Sequence, residues 1–147
     1  MMEARPGNSQ EQKQAERIML ELLGERLGVV LGPRRIPLGD GVRVEVDGAD
    51  ADLSILVEAW AHHGPPKVAQ KYKVLTDAFK LMYVASTLPH SPRLILCLCD
   101  PEAARHFTTA RSWAAQALRK YGIQVELVQL PADVSAAVLA AQRRQFR

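Results

Sequence analysis

The chain contains few aromatic residues, only 5% of its 147 positions, and only two cysteines. So few aromatic rings argue against a stacking platform for single-stranded nucleic acid. No apolar run approaches the roughly 18 residues that span a bilayer, so we expect no membrane partner. Hydrophobic residues nevertheless make up 48% of the chain, which argues against disorder by composition.

The N-terminal segment, residues 1–14, is polar and mixed in charge, without the apolar stretch of a secretory signal. The default compartment is therefore the cytoplasm. We expect residues 1–9 to form a flexible tail and residues 10–147 to form a single domain, a common size for one hydrophobic core.

The two cysteines, Cys97 and Cys99, lie within an apolar run that is typical of a strand. Positions i and i+2 share one face of a strand, and so short a link suits neither a disulfide nor a complete metal site. We interpret both as small buried hydrophobic residues. A half-site completed by His62 or His63 is the alternative.

The net charge of +3 permits contact with phosphate but does not require it. Apolar spacing predicts helices over 10–27, 66–86, 100–122 and 131–144, and strands over 34–38, 42–47, 53–61, 93–99 and 123–130. Strands that alternate with helices in the second half predict βαβ crossovers. The fold class is therefore α/β, with a mixed central sheet flanked by helices.

The sequence allows more detailed predictions for two of these elements. The strand over 53–61 is apolar almost throughout, so we expect it to be central in the sheet. For the helix over 66–86, the spacing predicts a core stripe made of Val68, Tyr72, Leu75, Phe79 and Met82.

Two acids on consecutive strands are the candidate chemical group. Asp47 ends one predicted strand and Glu58 lies eleven residues later, inside the next. A short turn between antiparallel neighbours would bring the two carboxylates side by side, and paired carboxylates suit a hard divalent cation such as Mg²⁺. The turn acids Asp50 and Asp52 are alternative ligands, since Asp52 has the strand parity of Glu58.

Glu58 is the strongest anomaly in the sequence because it follows five residues of a buried strand. Burying a carboxylate without a partner costs several kcal/mol. Glu58 must therefore face a wet cleft, bind a metal or meet a cation. Lys67 and Lys71, on the following helix, are the candidate cations for a simple salt bridge.

The order of these elements, with an acid at the end of one strand and a glutamate in the next, resembles the core of the PD-(D/E)XK nuclease superfamily. The resemblance covers residues 10–99 and implies a restriction-endonuclease-like core, here with additional C-terminal βα elements. It implies that Asp47 and Glu58 bind Mg²⁺ or Mn²⁺, with Asp52 as a further candidate ligand. It also implies hydrolysis of DNA phosphodiester bonds.

The superfamily places a lysine two residues after the second acid, where this chain has Trp60. Some members supply the lysine from the following helix, for which Lys67 and Lys71 are the candidates and Lys73 a weaker one. The alternative is a catalytically inactive domain that binds nucleic acid or assists protein assembly. The resemblance also leaves a homodimer open, although the sequence shows no heptad repeat or interface patch.

Three further residues have an ordinary and a functional interpretation. Related folds sometimes contribute an acid from the first helix, where Glu16 lies, although a solvated helix face explains a glutamate equally well. His62 and His63 follow the central strand and could assist proton transfer, or could simply be exposed.

Overall fold

The computed structural model describes residues 9–109 and 111–145. The first helix, α1 (Gln10–Leu27), begins at Ser9, whose side chain accepts a 3.0 Å hydrogen bond from the Gln12 amide. Ser9 is buried and acts as an N-cap, so it belongs to the domain. The rest of the tail predicted over residues 1–9 lies outside the described residues.

Five strands form one sheet in which spatial order follows chain order. They are β1 (Gly32–Gly39), β2 (Val42–Ala49), β3 (Ile55–Trp60), β4 (Arg93–Leu98) and β5 (Ile123–Leu127). The first three are antiparallel, whereas β3, β4 and β5 are parallel to one another. The predicted mixed sheet is confirmed, and β3 is its middle strand.

Helices cover both faces of the sheet. The two crossovers, from β3 to β4 and from β4 to β5, step in the same direction, so crossovers of the same hand place their helices on one face, and helices outside the crossovers cover the other. They are α2 (Val68–Ser86), α3 (Pro101–Thr108), α4 (Trp113–Lys120) and α5 (Ala132–Gln145). α1 and α5 pack on one face, whereas α2, α3 and α4 pack on the other. The single helix predicted over 100–122 is wrong, because Ser112 caps a new helix by accepting a 3.1 Å bond from the Ala115 amide.

Both cysteines lie in the core, on the face of β4 that α1 and α5 cover. Cys97 and Cys99 are free thiols, 0% and 3% exposed respectively. Burial raises the pKa of each thiol to about 12, so neither is a nucleophile at neutral pH. The prediction that they act as small hydrophobic residues is confirmed.

The core stripe predicted for α2 is wrong for Val68, Tyr72 and Phe79, whereas Leu75 and Met82 are partly buried and pack against the core. The helix packs on the sheet through Val74, Ala78, Leu81 and Val84, which are at most 3% exposed. Most of the predicted stripe faces outward, including Phe79, which is 73% exposed. α2 carries apolar residues on two sides, and the side with smaller residues lies against the sheet.

None of the helices within the described residues is long and apolar enough to cross a membrane.

Candidate functional site

The candidate site lies where β2 and β3 separate, next to a β-bulge in β2 that sets the direction of the Asp47 side chain. Gly32 pairs with Ala49 and Arg34 with Val46, so the single residue Pro33 opposes two residues of β2. Proline has no N–H to donate to a ladder, which is consistent with an irregularity opposite it. The extra residue changes the parity of β2, and Asp47 comes to lie across from Glu58 instead of on the other face.

Where the backbone hydrogen-bond ladder between β2 and β3 ends, the side chains of Asp47 and Glu58 accept the hydrogen bonds that join the two strands. The Asp47 amide donates to Glu58 Oε2 at 2.9 Å, and the Ala59 amide donates to Asp47 Oδ2 at 2.9 Å. Each carboxylate therefore accepts from the backbone of the opposite strand. The predicted convergence of the two acids in one place is confirmed.

The cation that meets Glu58 is Lys80 of α2. Its ammonium contacts Glu58 Oε1 and also donates a 2.9 Å bond to the Glu45 carbonyl. The Glu58 side chain is only 2% exposed, whereas that of Lys80 is 30% exposed. Lys80 thus joins a buried carboxylate to the solvent-accessible side of the helix.

Lys67 and Lys71, the predicted cations, lie elsewhere. β3 and β4 are parallel, so α2 begins beyond the end of β3 and runs back along the sheet. Lys67 caps the helix near His62, and Lys71 lines a groove with residues of α3. Lys80 is about 18 Å further along the helix axis than its first residue, level with Glu58.

Lys73, the weaker candidate, lies on the same side of α2 as Lys80. Its ammonium forms a 2.8 Å pair with Asp77 and lies 5.9 Å from the centre of the Trp60 ring. The charge of Lys73 also acts on Glu16. The two lysines are seven residues apart, two helical turns, and that spacing is the signal in the sequence that could have identified Lys80.

Glu16 of α1 is a third acid at this end of the sheet. It accepts a 3.0 Å bond from the Ala61 amide, directly after β3. Burial is the main reason that its pKa rises to about 7, and the charge of Asp47 raises it further against the effect of the Ala61 bond. A solvated helix face, the ordinary explanation for Glu16, does not describe this environment.

Glu58 also holds its proton more tightly than an ordinary glutamate. Burial, and then the neighbouring Asp47 carboxylate, raise the pKa of Glu58 to about 8, although Lys80 opposes this change. Two carboxylates with raised pKa values beside a third are typical of catalytic sites, and they also occur in structural networks.

Trp60 lies two residues after Glu58, on the same face of β3. It is 4% exposed and stacks on His62 with ring centres 4.7 Å apart and planes 8° apart. His62 Nε2 lies 2.9 Å from the Gln70 side-chain nitrogen, which can only donate. His62 is therefore neutral, and burial is the main reason that its pKa is lowered.

His63 is half-buried and held by its backbone: its amide donates to Gln142 at 2.8 Å. Gly64, the next residue, donates to Asp100 Oδ1 at 3.0 Å. Neither His62 nor His63 is a freely exposed loop histidine. The loop after β3 is thereby attached to both α5 and the end of β4.

The turn acids Asp50 and Asp52 do not lie beside Asp47 and Glu58. Asp50 accepts a bond from the Ile55 amide at 2.9 Å and another from the Ser54 hydroxyl, so both its oxygens stabilise the turn. Asp52 is exposed in the same turn, before β3 begins. Since Glu58 lies three residues into β3, Asp52 is roughly 10 Å or more away along the strand, too far to share an ion with it.

The donor set offers two carboxylates to a metal ion, those of Asp47 and Glu58. Within residues 9–109 and 111–145, no group of three or more histidine, cysteine, aspartate or glutamate side chains is arranged to hold a metal. Two carboxylates suit Mg²⁺, which keeps several of its waters and often takes only one or two protein ligands. Asp47 and Glu58 would hold the ion.

No family model, no curated protein and no solved structure matches this chain.

Proposed function

We propose that this chain is a PD-(D/E)XK-like nuclease that hydrolyses DNA phosphodiester bonds with Mg²⁺ or Mn²⁺. The observation that carries the proposal is the convergence of Asp47 and Glu58 from two neighbouring strands under the ammonium of Lys80. The order of the elements supports it as well: helix, three antiparallel strands, helix and a parallel strand follow one another as the resemblance implies.

Each residue has a role that follows from its surroundings. Asp47 and Glu58 would hold the ion, which supplies an activated water and stabilises charge on the phosphoryl group. Lys80 would provide a positive charge near the scissile phosphate, the contribution expected of the lysine that Trp60 replaces. Glu16, with a pKa of about 7, could accept a proton from the attacking water at physiological pH.

Metal binding is the first test, because it does not require the substrate to be known. Calorimetry and thermal unfolding with Mn²⁺ should show binding by the unsubstituted protein and none by Asp47→Asn. Asp52→Asn is the matched control, since it removes an acid from the adjacent turn and should bind as the unsubstituted protein does. Equal Mn²⁺ binding by all three proteins would remove Asp47 from the site.

Cleavage is the second test. We expect the protein to nick supercoiled plasmid with Mn²⁺ or Mg²⁺, and Glu58→Gln to lose at least 100-fold of that rate, a typical effect of removing one stabilising group from a transition state. Lys80→Met should lose activity while keeping part of its Mn²⁺ binding. Equal rates for the unsubstituted protein and Glu58→Gln would refute the proposal.

A second candidate is a catalytically silent domain that binds nucleic acid or assists protein assembly. The contact between Lys80 and Glu58 favours it, because the lysine already supplies a cation to the buried acid. The buried ring of Trp60 favours it too, since it fills the place of the catalytic lysine. No heat with Mn²⁺ and no cleavage would support this candidate over the first.

A further inference from the structure

α2 presents a continuous apolar surface to solvent on the side away from the sheet. Val68, Tyr72, Phe79 and Tyr83 are 64%, 62%, 73% and 56% exposed, and Trp113 of α4 is 67% exposed beside them. Tyr72 and Trp113 line the same groove, so the two helices contribute to one surface. We call these five residues, with Leu75 and Met82 between them, the α2 aromatic face.

The area of the α2 aromatic face is large for a protein of this size. If each of its four aromatic side chains presents about 200 Å² when fully exposed, their exposed fractions amount to roughly 500 Å². The largest patch on a typical monomer is about 300–600 Å², and a stable interface buries about 800 Å² on each partner. With Val68, Leu75 and the rim added, the face approaches what a dimer needs.

The face contains both a projection and a groove that could receive it. The groove is about 260 Å³ and is lined by Val68, Tyr72 and Leu75 of α2 and Trp113 of α4, together with Lys71 and His106. A cavity of about 150 Å³ can hold a benzene ring. Phe79 projects from the same face, one helical turn after Leu75, and its ring is of a size to enter such a groove.

No charged side chain interrupts the face between Tyr72 and Tyr83. The lysines nearest to it along that stretch turn toward acids of their own chain: Lys73 pairs with Asp77 at 2.8 Å, and Lys80 contacts Glu58. Between Tyr72 and Tyr83 two copies could therefore approach with little repulsion between like charges, and Lys71 contributes one cation to the groove of each copy.

We infer that the α2 aromatic face binds a second copy of this chain about a two-fold axis, with the two α2 helices antiparallel. In such an interface each contact occurs twice, so Phe79 of one copy enters the groove of the other and the reverse. Because Phe79 and the groove lie on the same surface, two copies of the chain can make both contacts without any other partner.

The oligomeric state of the full chain tests the inference. Light scattering coupled to size exclusion, from about 5 to 200 µM, should give a dimer for the unsubstituted protein, since interfaces of standard size have dissociation constants in the micromolar range or below. Phe79→Glu should be monomeric, with an unchanged far-ultraviolet spectrum, because it places a charge in the interface. Phe79→Leu should remain dimeric, at least in part.

Val30→Glu is the matched control, since Val30 is 88% exposed in the connection between α1 and β1, away from α2. It should dimerise as the unsubstituted protein does. A monomer at every concentration, or a dimer that survives Phe79→Glu, would overturn the inference. A monomer that sediments with anionic vesicles through Phe79 would assign the face to a membrane surface instead.

Discussion

The Asp47 amide donates to Glu58 Oε2 at 2.9 Å, while Asp47 Oδ2 accepts from the Ala59 amide beside Glu58. The two acids thus hold β2 and β3 together at the point where their ladder opens. An ordinary hydrogen bond contributes about 0.5–1.5 kcal/mol, and one to an ionised carboxylate about 1.5–3 kcal/mol. Substitutions at the candidate site will therefore change stability as well as any chemistry, and both must be measured.

Replacing Lys80 with methionine should destabilise the fold by roughly 3 kcal/mol at pH 9, the low end for breaking a buried ion pair. At that pH Glu58 is largely ionised and would lose its cation inside the core. The loss should be smaller at pH 6, where Glu58 holds a proton. Urea unfolding at the two pH values measures both quantities.

Lys73→Met is the control for that experiment. Lys73 pairs with Asp77 on the surface of the same helix, and such pairs are worth only about 0.3–0.5 kcal/mol. Adding Glu58→Gln to Lys80→Met should recover part of the lost stability, because no charge then remains unpaired. Equal losses for Lys73→Met and Lys80→Met would show that Glu58 does not depend on Lys80.

The free energy of unfolding should fall as the pH rises from about 7 to about 8. The folded protein raises the pKa of Glu58 to about 8 and that of Glu16 to about 7, from ordinary values of 4.5. Each acid makes the folded state bind more protons than the unfolded state, so each lowers stability as the pH rises, whereas the lowered pKa values of His62 and His106 act in the opposite direction near and below pH 6.5. Each group contributes up to about 1.4 kcal/mol per pH unit.

Asp47→Asn distinguishes burial from the charge of Asp47 as the cause of this pH dependence of stability. It removes the neighbouring charge that raises the pKa of both acids, and its amide oxygen can still accept from Ala59. The slope of unfolding free energy against pH should therefore become shallower than in the unsubstituted protein. An unchanged slope would mean that burial alone sets both pKa values.

Much of the fold could be predicted because it depends on local apolar pattern. The strand that became β3 was recognisable as central from its nearly continuous apolar residues, and a charge within it marked Glu58. The short β2–β3 turn then made its encounter with Asp47 predictable. The bulge that turns Asp47 toward Glu58 could not be predicted, since it depends on how β2 pairs with β1 opposite Pro33.

The side of α2 that packs on the sheet could not be predicted from spacing alone. Two apolar stripes share this helix, and the larger residues favoured the wrong one. The smaller Val74 and Ala78 face the sheet, which turns Phe79 outward and Lys80 toward Glu58. Lys67 and Lys71 are the wrong lysines for Glu58 for a separate reason, since they lie at the start of α2, beyond the end of β3.

Gly24 and Gly48 should respond differently to alanine. A Cβ at Gly24 would lie 2.6 Å from the Val29 carbonyl oxygen, which is backbone and cannot readily move. A Cβ at Gly48 would meet the end of the flexible Leu20 side chain at 2.7 Å. We expect Gly24→Ala to cost about 1–3 kcal/mol and Gly48→Ala less, by urea unfolding. The opposite order would mean that the turn after α1 can shift.

Under the proposed nuclease function, a lysine in place of Trp60 should not produce a working site. Trp60 is 4% exposed and stacks on His62, so Trp60→Lys removes a large core side chain and buries an ammonium group, at a cost of at least about 3–5 kcal/mol. Trp60→Phe, which keeps an aromatic ring, should lose clearly less in urea unfolding. If Trp60→Lys instead folds as stably as the unsubstituted protein and nicks plasmid faster with Mn²⁺, then Lys80 does not provide the positive charge that the proposed function assigns to it.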